Sequence, residues 1–250
     1  MAGKMVLSDE LLVAYENYAL EPRRYNKKYK QLMSKLILPY ETNKAQLVRA
    51  KVLGLNAACY DRLLPIYAGS ITKDYDLPAL AATTSLKFIL TSDTNVQLPY
   101  LNIKSNFTAN NLTISLSPAE SRADLSKYLE MVSADATKVT ICDNYIAQNW
   151  SNTRALFLSI LPRNNLNIEY VETSQTVNAT LNSTKITAAF VKGIHADWTV
   201  SPSTLYANSH DRYLRIESPT SKIEIMLSSG FDHIWKHNPK EITCVFREIT

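Results

Sequence analysis

Glycine is scarce in this chain, with five in 250 residues, and Gly54, Gly69, Gly193 and Gly230 stand far apart. A phosphate-cradling loop needs clustered glycines, so that successive backbone N–H groups can approach one anion. P-loop and Rossmann dinucleotide sites are therefore excluded. Cysteine is scarcer still. Cys59, Cys142 and Cys244 are isolated in apolar contexts, which fits buried free thiols in a reducing compartment better than a disulfide framework. No C-x-x-C spacing offers zinc ligands, and the single H-x-x-x-H, His233 to His237, has no such cysteine pair to complete it, so no metal and no cofactor is expected. The chain has no G-x-S-x-G elbow for a serine hydrolase, and Asp211, Lys222 and Glu224 do not compose a PD-(D/E)xK nuclease motif. No apolar run approaches the length of a membrane span, and Met1-Ala2-Gly3-Lys4-Met5 has no apolar signal core. The expectation is a cytoplasmic protein without integral membrane association.

What is present is ordinary core-forming material: 46% hydrophobic and 20% charged residues, with a net charge of +4. Such a balance specifies a folded chain and does not force a nucleic-acid partner. Helices are predicted over 6–20, with Ser8 as N-cap, over 23–38, and over about 42–64 ahead of Pro65. Strands are predicted at 85–90, 101–104 and 112–116, forming a small antiparallel sheet or extending a later one. Ser117-Pro118-Ala119-Glu120 reads as a helix start and as the boundary between an N-terminal part, 1–117, and a C-terminal part, 118–250. Beyond it, strands at 138–142, 166–171, 212–217, 222–227 and 242–248 alternate with helices at 150–160 and 180–192. The fold class is α+β, with an α/β-like second half.

The chemistry gathers in that second half. Ser209-His210-Asp211-Arg212 opens a strand that reaches Glu217, an H-x-R-x4-E spacing. Alternation puts His210, Arg212 and Leu214 on one strand face. A His beside a cation suits a phosphoryl group, and Arg binds phosphate bidentately. Ser229-Gly230-Phe231-Asp232-His233 follows, with two readings open for Asp232: orienting His210, or capping the next helix. Asp143 and Tyr145 end a buried strand, where open α/β sheets place ligands.

The first spacing is that of the phospholipase D signature, H-x-K-x4-D, with Arg for Lys and Glu for Asp. The strand at 138–142 with Asp143, the strand at 166–171, the His-Asp-Arg strand and the Gly-Phe-Asp turn come in an order that resembles the phospholipase D-like domain at the C-terminus of MIT-domain proteins and in prokaryotic relatives. The resemblance covers roughly residues 118–250. It implies a layered sheet domain that binds a phosphate-bearing ligand without catalysis, through His210, Arg212, Asp143, Tyr145, Asp232 and His233. Phospholipase D chemistry needs two His–cation pairs, one to form the covalent phospho-His and one to protonate the leaving group. This chain has one such motif, so catalysis through His210 requires a homodimer.

A basic helix stands apart from the motif. Arg23, Arg24, Lys27, Lys28, Lys30 and Lys35 fall within thirteen residues that contain no acid, interleaved with Tyr25 and Tyr29. Cations on phosphates with tyrosines on bases is one reading; a solvated helix face with tyrosines in the core is the other. Together these features point to a binding accessory protein engaging nucleic acid or an acidic protein partner, of the kind found in bacteria or phage and used in phage defence or interference. The alternatives are a homodimeric phospholipase D-like phosphodiesterase or nuclease, and an interaction protein that inhibits a partner in the replication machinery.

Overall fold

The structure, a computed structural model, describes residues 3–104, 112–172, 180–207 and 209–249. Its helices and mixed sheets make an α+β fold, divided into two compact units, Met1–Asn110 and Asn111–Thr250.

The first unit opens with β1 (Met5–Leu7), buried at all three residues, and α1 (Asp9–Asn17) follows at once. The helix expected over 6–20 therefore starts late. A short apolar run is ambiguous by periodicity, and here pairing with a strand on each side decides it. Ser8 is the N-cap, accepting the Leu11 N–H at 3.4 Å. Helix α2 (Pro22–Met33) begins on its proline. The single helix expected over 42–64 is two helices, α3 (Lys44–Val52) and α4 (Ala57–Tyr67), capped by Asn43 and Asn56. Gly54 between them has φ +98°, a conformation that ends a helix and favours glycine. Pro65 sits within the last turn of α4 instead of terminating it. Helix α5 (Leu77–Ala82) completes the set. The sheet runs β2 (Tyr40–Glu41), β1, β3 (Ile89–Thr91), β4 (Tyr100–Asn102), parallel throughout. The antiparallel arrangement expected for the strands at 85–90 and 101–104 is thus corrected, since β3 and β4 pair in parallel, while the strand at 112–116 extends the later sheet, the other arrangement expected; helical crossovers return β2 and β3 parallel to β1.

The second unit comprises β5 (Leu112–Leu116), α6 (Ala123–Ser133), β6 (Lys138–Cys142), α7 (Trp150–Thr153), β7 (Asn167–Val171), α8 (Ala188–Ile194), β8 (Thr199–Ser203), β9 (Arg212–Glu217), β10 (Lys222–Leu227), α9 (Asp232–Trp235) and β11 (Ile242–Glu248). The sheet order is β5-β11-β10-β9-β6-β7-β8. Strands β6, β7 and β8 are parallel, and the other neighbours are antiparallel. Strand β6 is buried at four of its five residues, as a central strand covered on both faces must be. Strands β9 and β11 alternate, sending Leu214 and Ile216, and Ile242, Cys244 and Phe246, inward. Tyr128 of α6 meets Phe246 edge-on at 4.9 Å. The stretch read as one helix over 150–160 is α7 followed by a π-helical turn, Leu156–Ile160. Strand β8 was not anticipated because it contains Pro202, which a sheet tolerates at its edge.

The unit boundary lies ahead of the expected Ser117-Pro118, because β5 pairs with β11 from Leu112↔Phe246 to Leu116↔Ile242. Helix α6 starts at Ala123, not at Pro118. The intervening turn is fastened by Arg122, whose guanidinium donates to the Ser117 and Glu120 carbonyls and, at 2.9 Å, to that of Lys240. All three cysteines are buried and unpaired. Among the described residues, no helix is long and apolar enough to cross a membrane.

Candidate phosphate-binding cavity

Strand register gathers the site. Strand β9 runs antiparallel to both neighbours, so its first residues lie beside the end of β6 (Cys142↔Tyr213) and the end of β10 (Leu227↔Arg212). Asp143, Arg212 and the Gly230–His233 turn therefore share one edge of the sheet, at the carboxyl end of β6 and β7. There a cavity of about 340 Å³ is lined by Tyr145, Asn149, Arg212, Gly230, Asp232 and His233, and by Lys236 and Lys240.

Each wall has a local cause. Asp143, 2% exposed, uses both carboxylate oxygens on backbone: Oδ1 accepts the Tyr145 N–H and Oδ2 the Phe231 N–H, each at 2.9 Å. It is the clamp between the β6 end and the turn after β10. Burial holds its acidity weaker than an ordinary aspartate, against the opposing effect of those two N–H donors and of Arg212. Asn182 does the same for the β7 side. Its amide donates to the Asp143 carbonyl at 2.9 Å and the Val171 carbonyl at 3.0 Å, and its oxygen accepts the Ala147 N–H at 3.1 Å. A Cβ at Gly230 would stand 2.6 Å from Asp232 Oδ1, so any side chain there displaces that carboxylate. His233 Nδ1 accepts the Lys240 N–H at 3.0 Å, which leaves the proton of the neutral ring on Nε2. Burial pushes the His233 pKa below its ordinary value. Lys236, Lys240 and Arg122 push the same way, and Asp232 opposes them. The Arg212 guanidinium lies 5.8 Å from the Tyr145 ring centre. Lys236 Nζ is 3.5 Å from Asp232 Oδ2. The arrangement can hold an oxyanion: three cations on flexible or planar heads, a neutral imidazole N–H, and an aromatic wall.

Five of the six residues expected at a site are thus assembled. Tyr145, Arg212, Asp232 and His233 line the cavity, and Asp143 supports it from behind. His210 is not with them. It is exposed, in the bend before β9 rather than on the strand, and its carbonyl faces the Arg212 guanidinium at 3.5 Å. Glu217, the last residue of the signature spacing, ends β9 paired with Arg215 at 3.0 Å. That is roughly 17 Å along the strand from Arg212. Asp232 neither orients His210 nor caps α9; it occupies the first helical position, with its carboxylate toward Lys236 and His233. Lys236, Lys240, Asn149 and Asn182 were not anticipated. The one available signal was Lys236, four residues after Asp232, the spacing of a helical ion pair.

In the first unit, Arg23, Arg24, Lys27 and Lys30 are exposed along α2. Arg24 pairs with Glu21 and Lys28 with Glu10, both at 3.3 Å. Tyr25 and Tyr29 are not free stacking platforms. The Tyr25 hydroxyl accepts Asn17 Nδ2 at 3.1 Å, and the Tyr29 ring lies flat on Tyr18, centroids 3.7 Å apart. Both tyrosines are half-buried because α2 packs back on α1 through them. Among the described residues, no group of His, Cys, Asp and Glu could hold a metal ion. Compared with known proteins, the chain matches no family model and no curated sequence.

Proposed function

We propose that the chain is a non-catalytic binding protein whose second unit holds a phosphate-bearing ligand in the cavity at the ends of β6, β9 and β10. The observation that carries this reading is that Arg212, Lys236 and Lys240 line one 340 Å³ cavity and outnumber its one lining carboxylate, Asp232, which Lys236 approaches at 3.5 Å, while the buried Asp143 carboxylate is engaged by backbone. The resemblance to the phospholipase D-like domain of MIT-domain proteins agrees with a binding role, and the position of His210 outside the cavity speaks against a nucleophile there. The buried, unpaired cysteines suit work in a reducing cytoplasm. Isothermal titration with inorganic phosphate tests the reading. Binding that is lost in Arg212→Ala and weakened in Lys240→Ala, with unchanged melting temperature, is the expected result.

A second reading, engagement of nucleic acid or an acidic protein by α2, is favoured by its four exposed cations. The homodimeric phosphodiesterase alternative is tested in the same preparation, with plasmid and single-stranded DNA in EDTA. Turnover that vanishes in His210→Ala or His233→Ala would replace the binding reading with a catalytic one. A role as inhibitor of a replication partner, or in phage defence or interference, remains an extension of the binding reading by association alone.

A further inference from the structure

The first unit contains a cavity larger than the one that holds the phosphate-site residues, about 470 Å³, and its walls are rich in tyrosine. Nine of the chain's 14 tyrosines fall within residues 1–110, and five of them, Tyr15, Tyr18, Tyr29, Tyr40 and Tyr67, line this one space. They are arranged, not merely gathered. Tyr18 stacks on Tyr29 with planes 6° apart, and Tyr29 stacks on Tyr15 at 5.9 Å and 25°. Tyr40 stands edge-on to Tyr15 at 5.3 Å. Tyr29 is covered by its neighbours in this stack, so another flat π-system can be added only at an end of it, where Tyr18 lines the cavity.

The charged groups decide which flat molecule. Glu16 lines the cavity, but its carboxylate is already engaged by the Tyr40 hydroxyl and, at 2.5 Å, by Arg62. A cation, such as a methylated ammonium in an aromatic cage, would have to displace Arg62. Arg62 itself lines the cavity and is 61% exposed; Glu16 partly neutralises it, and the guanidinium keeps further N–H donors for an entering ligand. Tyr29 comes from α2, the helix that carries the exposed Arg23, Arg24, Lys27 and Lys30. Aromatic faces beside a cationic rim are the two elements of nucleotide binding without sequence readout. We infer that the tyrosine-lined cavity of the first unit is a nucleotide site, receiving a base against Tyr18, the end ring of the Tyr15–Tyr29–Tyr18 stack, with its phosphate toward Arg62. The base is held in this cavity, and the outer face of α2 supplies potential only. The site is independent of the phosphate cavity in the second unit.

The test uses the full chain with ring-labelled tyrosine and two probes, thymidine monophosphate and a ten-residue oligothymidylate. Shifts of the cavity tyrosine resonances are expected with one or both. Binding of the monophosphate alone at comparable strength marks a free-nucleotide site; binding of the oligomer only marks a single-strand site. Tyr18→Leu, which removes the ring stacked on Tyr29, and Tyr67→Leu are expected to lower the melting temperature modestly and, at a temperature where all the proteins are folded, to weaken binding about tenfold or more. Tyr67→Phe, which keeps the ring, retains it. Arg212→Ala leaves binding unchanged. The inference is overturned if neither probe shifts the tyrosines at millimolar concentration, if the Leu variants bind as the parent does, or if tetramethylammonium moves the same resonances and nucleotide does not.

Discussion

The two units handle positive charge in opposite ways. Residues 1–110 carry 14 Lys and Arg against nine Asp and Glu, whereas residues 111–250 carry 13 against 14. The chain's net charge therefore resides entirely in the first unit, where it is spread over exposed helix surface. The second unit is close to neutral yet brings Arg212, Lys236 and Lys240 to one open cavity. Spread charge attracts polyanions weakly and through a screened field; charge focused on one cavity selects one oxyanion. Net charge alone would have ranked the units in the wrong order for a compact phosphate ligand.

The sharpest way to break this comparison is to separate the units. Fragments 1–110 and 111–250 each have their own sheet and core and are expected to unfold cooperatively. A fragment cut at the sequence-based boundary, 118–250, lacks β5 and leaves the outer edge of β11 from Ile242 to Phe246 unpaired, while its β10 side stays paired. An uncovered edge of that length invites aggregation. Thermal unfolding by circular dichroism should show one transition for 111–250 and an aggregated or non-cooperative 118–250. A cooperative 118–250 with the stability of 111–250 would mean that β5 is dispensable, and the division at residue 110 wrong.

Within the second unit, the largest single-residue effect is expected at Asp143. Replacing it by Ala strands the Tyr145 and Phe231 N–H groups in a buried site. At about 1–3 kcal/mol for each orphaned donor, offset by release of a buried carboxylate, the net cost is roughly 3 kcal/mol. For a domain of this size that lowers Tm by about 10 °C. Asp143→Asn keeps one acceptor and should fall between. Gly230→Ala forces the buried Asp232 carboxylate aside, with a cost of about 1–3 kcal/mol. Differential scanning of fragment 111–250 separates the three. Equal melting temperatures for Asp143→Ala and parent would show that the clamp is ornamental.

Legibility differed along the chain for physical reasons. Strands β6, β9, β10 and β11 stand where apolar alternation put them, because buried strands leave a strong period. The site residues Asp143, Tyr145, Arg212, Asp232 and His233 were readable because each sits beside a strand end, where backbone geometry and chemistry coincide. His210 failed because period two was extended past the start of β9 into a bend. Lys236 and Lys240 were invisible because only the fold of the 228–240 turn, tied down by Arg122, brings them over Arg212. In the first unit, parallel pairing of three-residue strands leaves almost no periodic trace. The tyrosine cavity draws its residues from α1, α2, β2 and α4, a juxtaposition that no local spacing encodes.

His233 provides a finer probe of focused charge. Its folded pKa is lowered from 6.5, first by burial. The unfolded chain thus takes up a proton at higher pH than the folded one does. This contribution to stability is present above about 6.5 and lost as pH falls through the folded value. An anion in the cavity favours imidazolium, so anion affinity should move the other way and strengthen as pH drops. Sulfate is the suitable ligand, because it stays dianionic across the range. Titration at pH 7.5 and 5.5 should show tighter sulfate binding at the lower pH, and His233→Gln should flatten the difference. A pH-independent affinity in the parent would remove His233 from the ligand's surroundings.

Spread charge predicts the smallest stability effect and the broadest functional one. Arg23 and Lys27 are exposed and make no ion pair among the described residues, whereas Arg24 and Lys28 hold Glu21 and Glu10 at 3.3 Å. Arg23→Gln with Lys27→Gln should therefore change unfolding free energy by no more than about 0.5 kcal/mol. Arg24→Gln with Lys28→Gln should cost at most about 1 kcal/mol for each lost surface pair. If α2 supplies potential to a bound strand, each lost phosphate contact reduces the slope of log affinity for the oligothymidylate against log salt by roughly 0.7. The first pair should lower that slope more than the second, whose charges are partly neutralised at home. Neither pair should alter phosphate binding in the second unit, because the two modes of holding charge belong to separate units. A flat salt dependence in the parent, or equal slopes in all three proteins, would make α2 a solvated face or a surface for an acidic protein, and would leave the tyrosine cavity to bind its nucleotide without help from the helix.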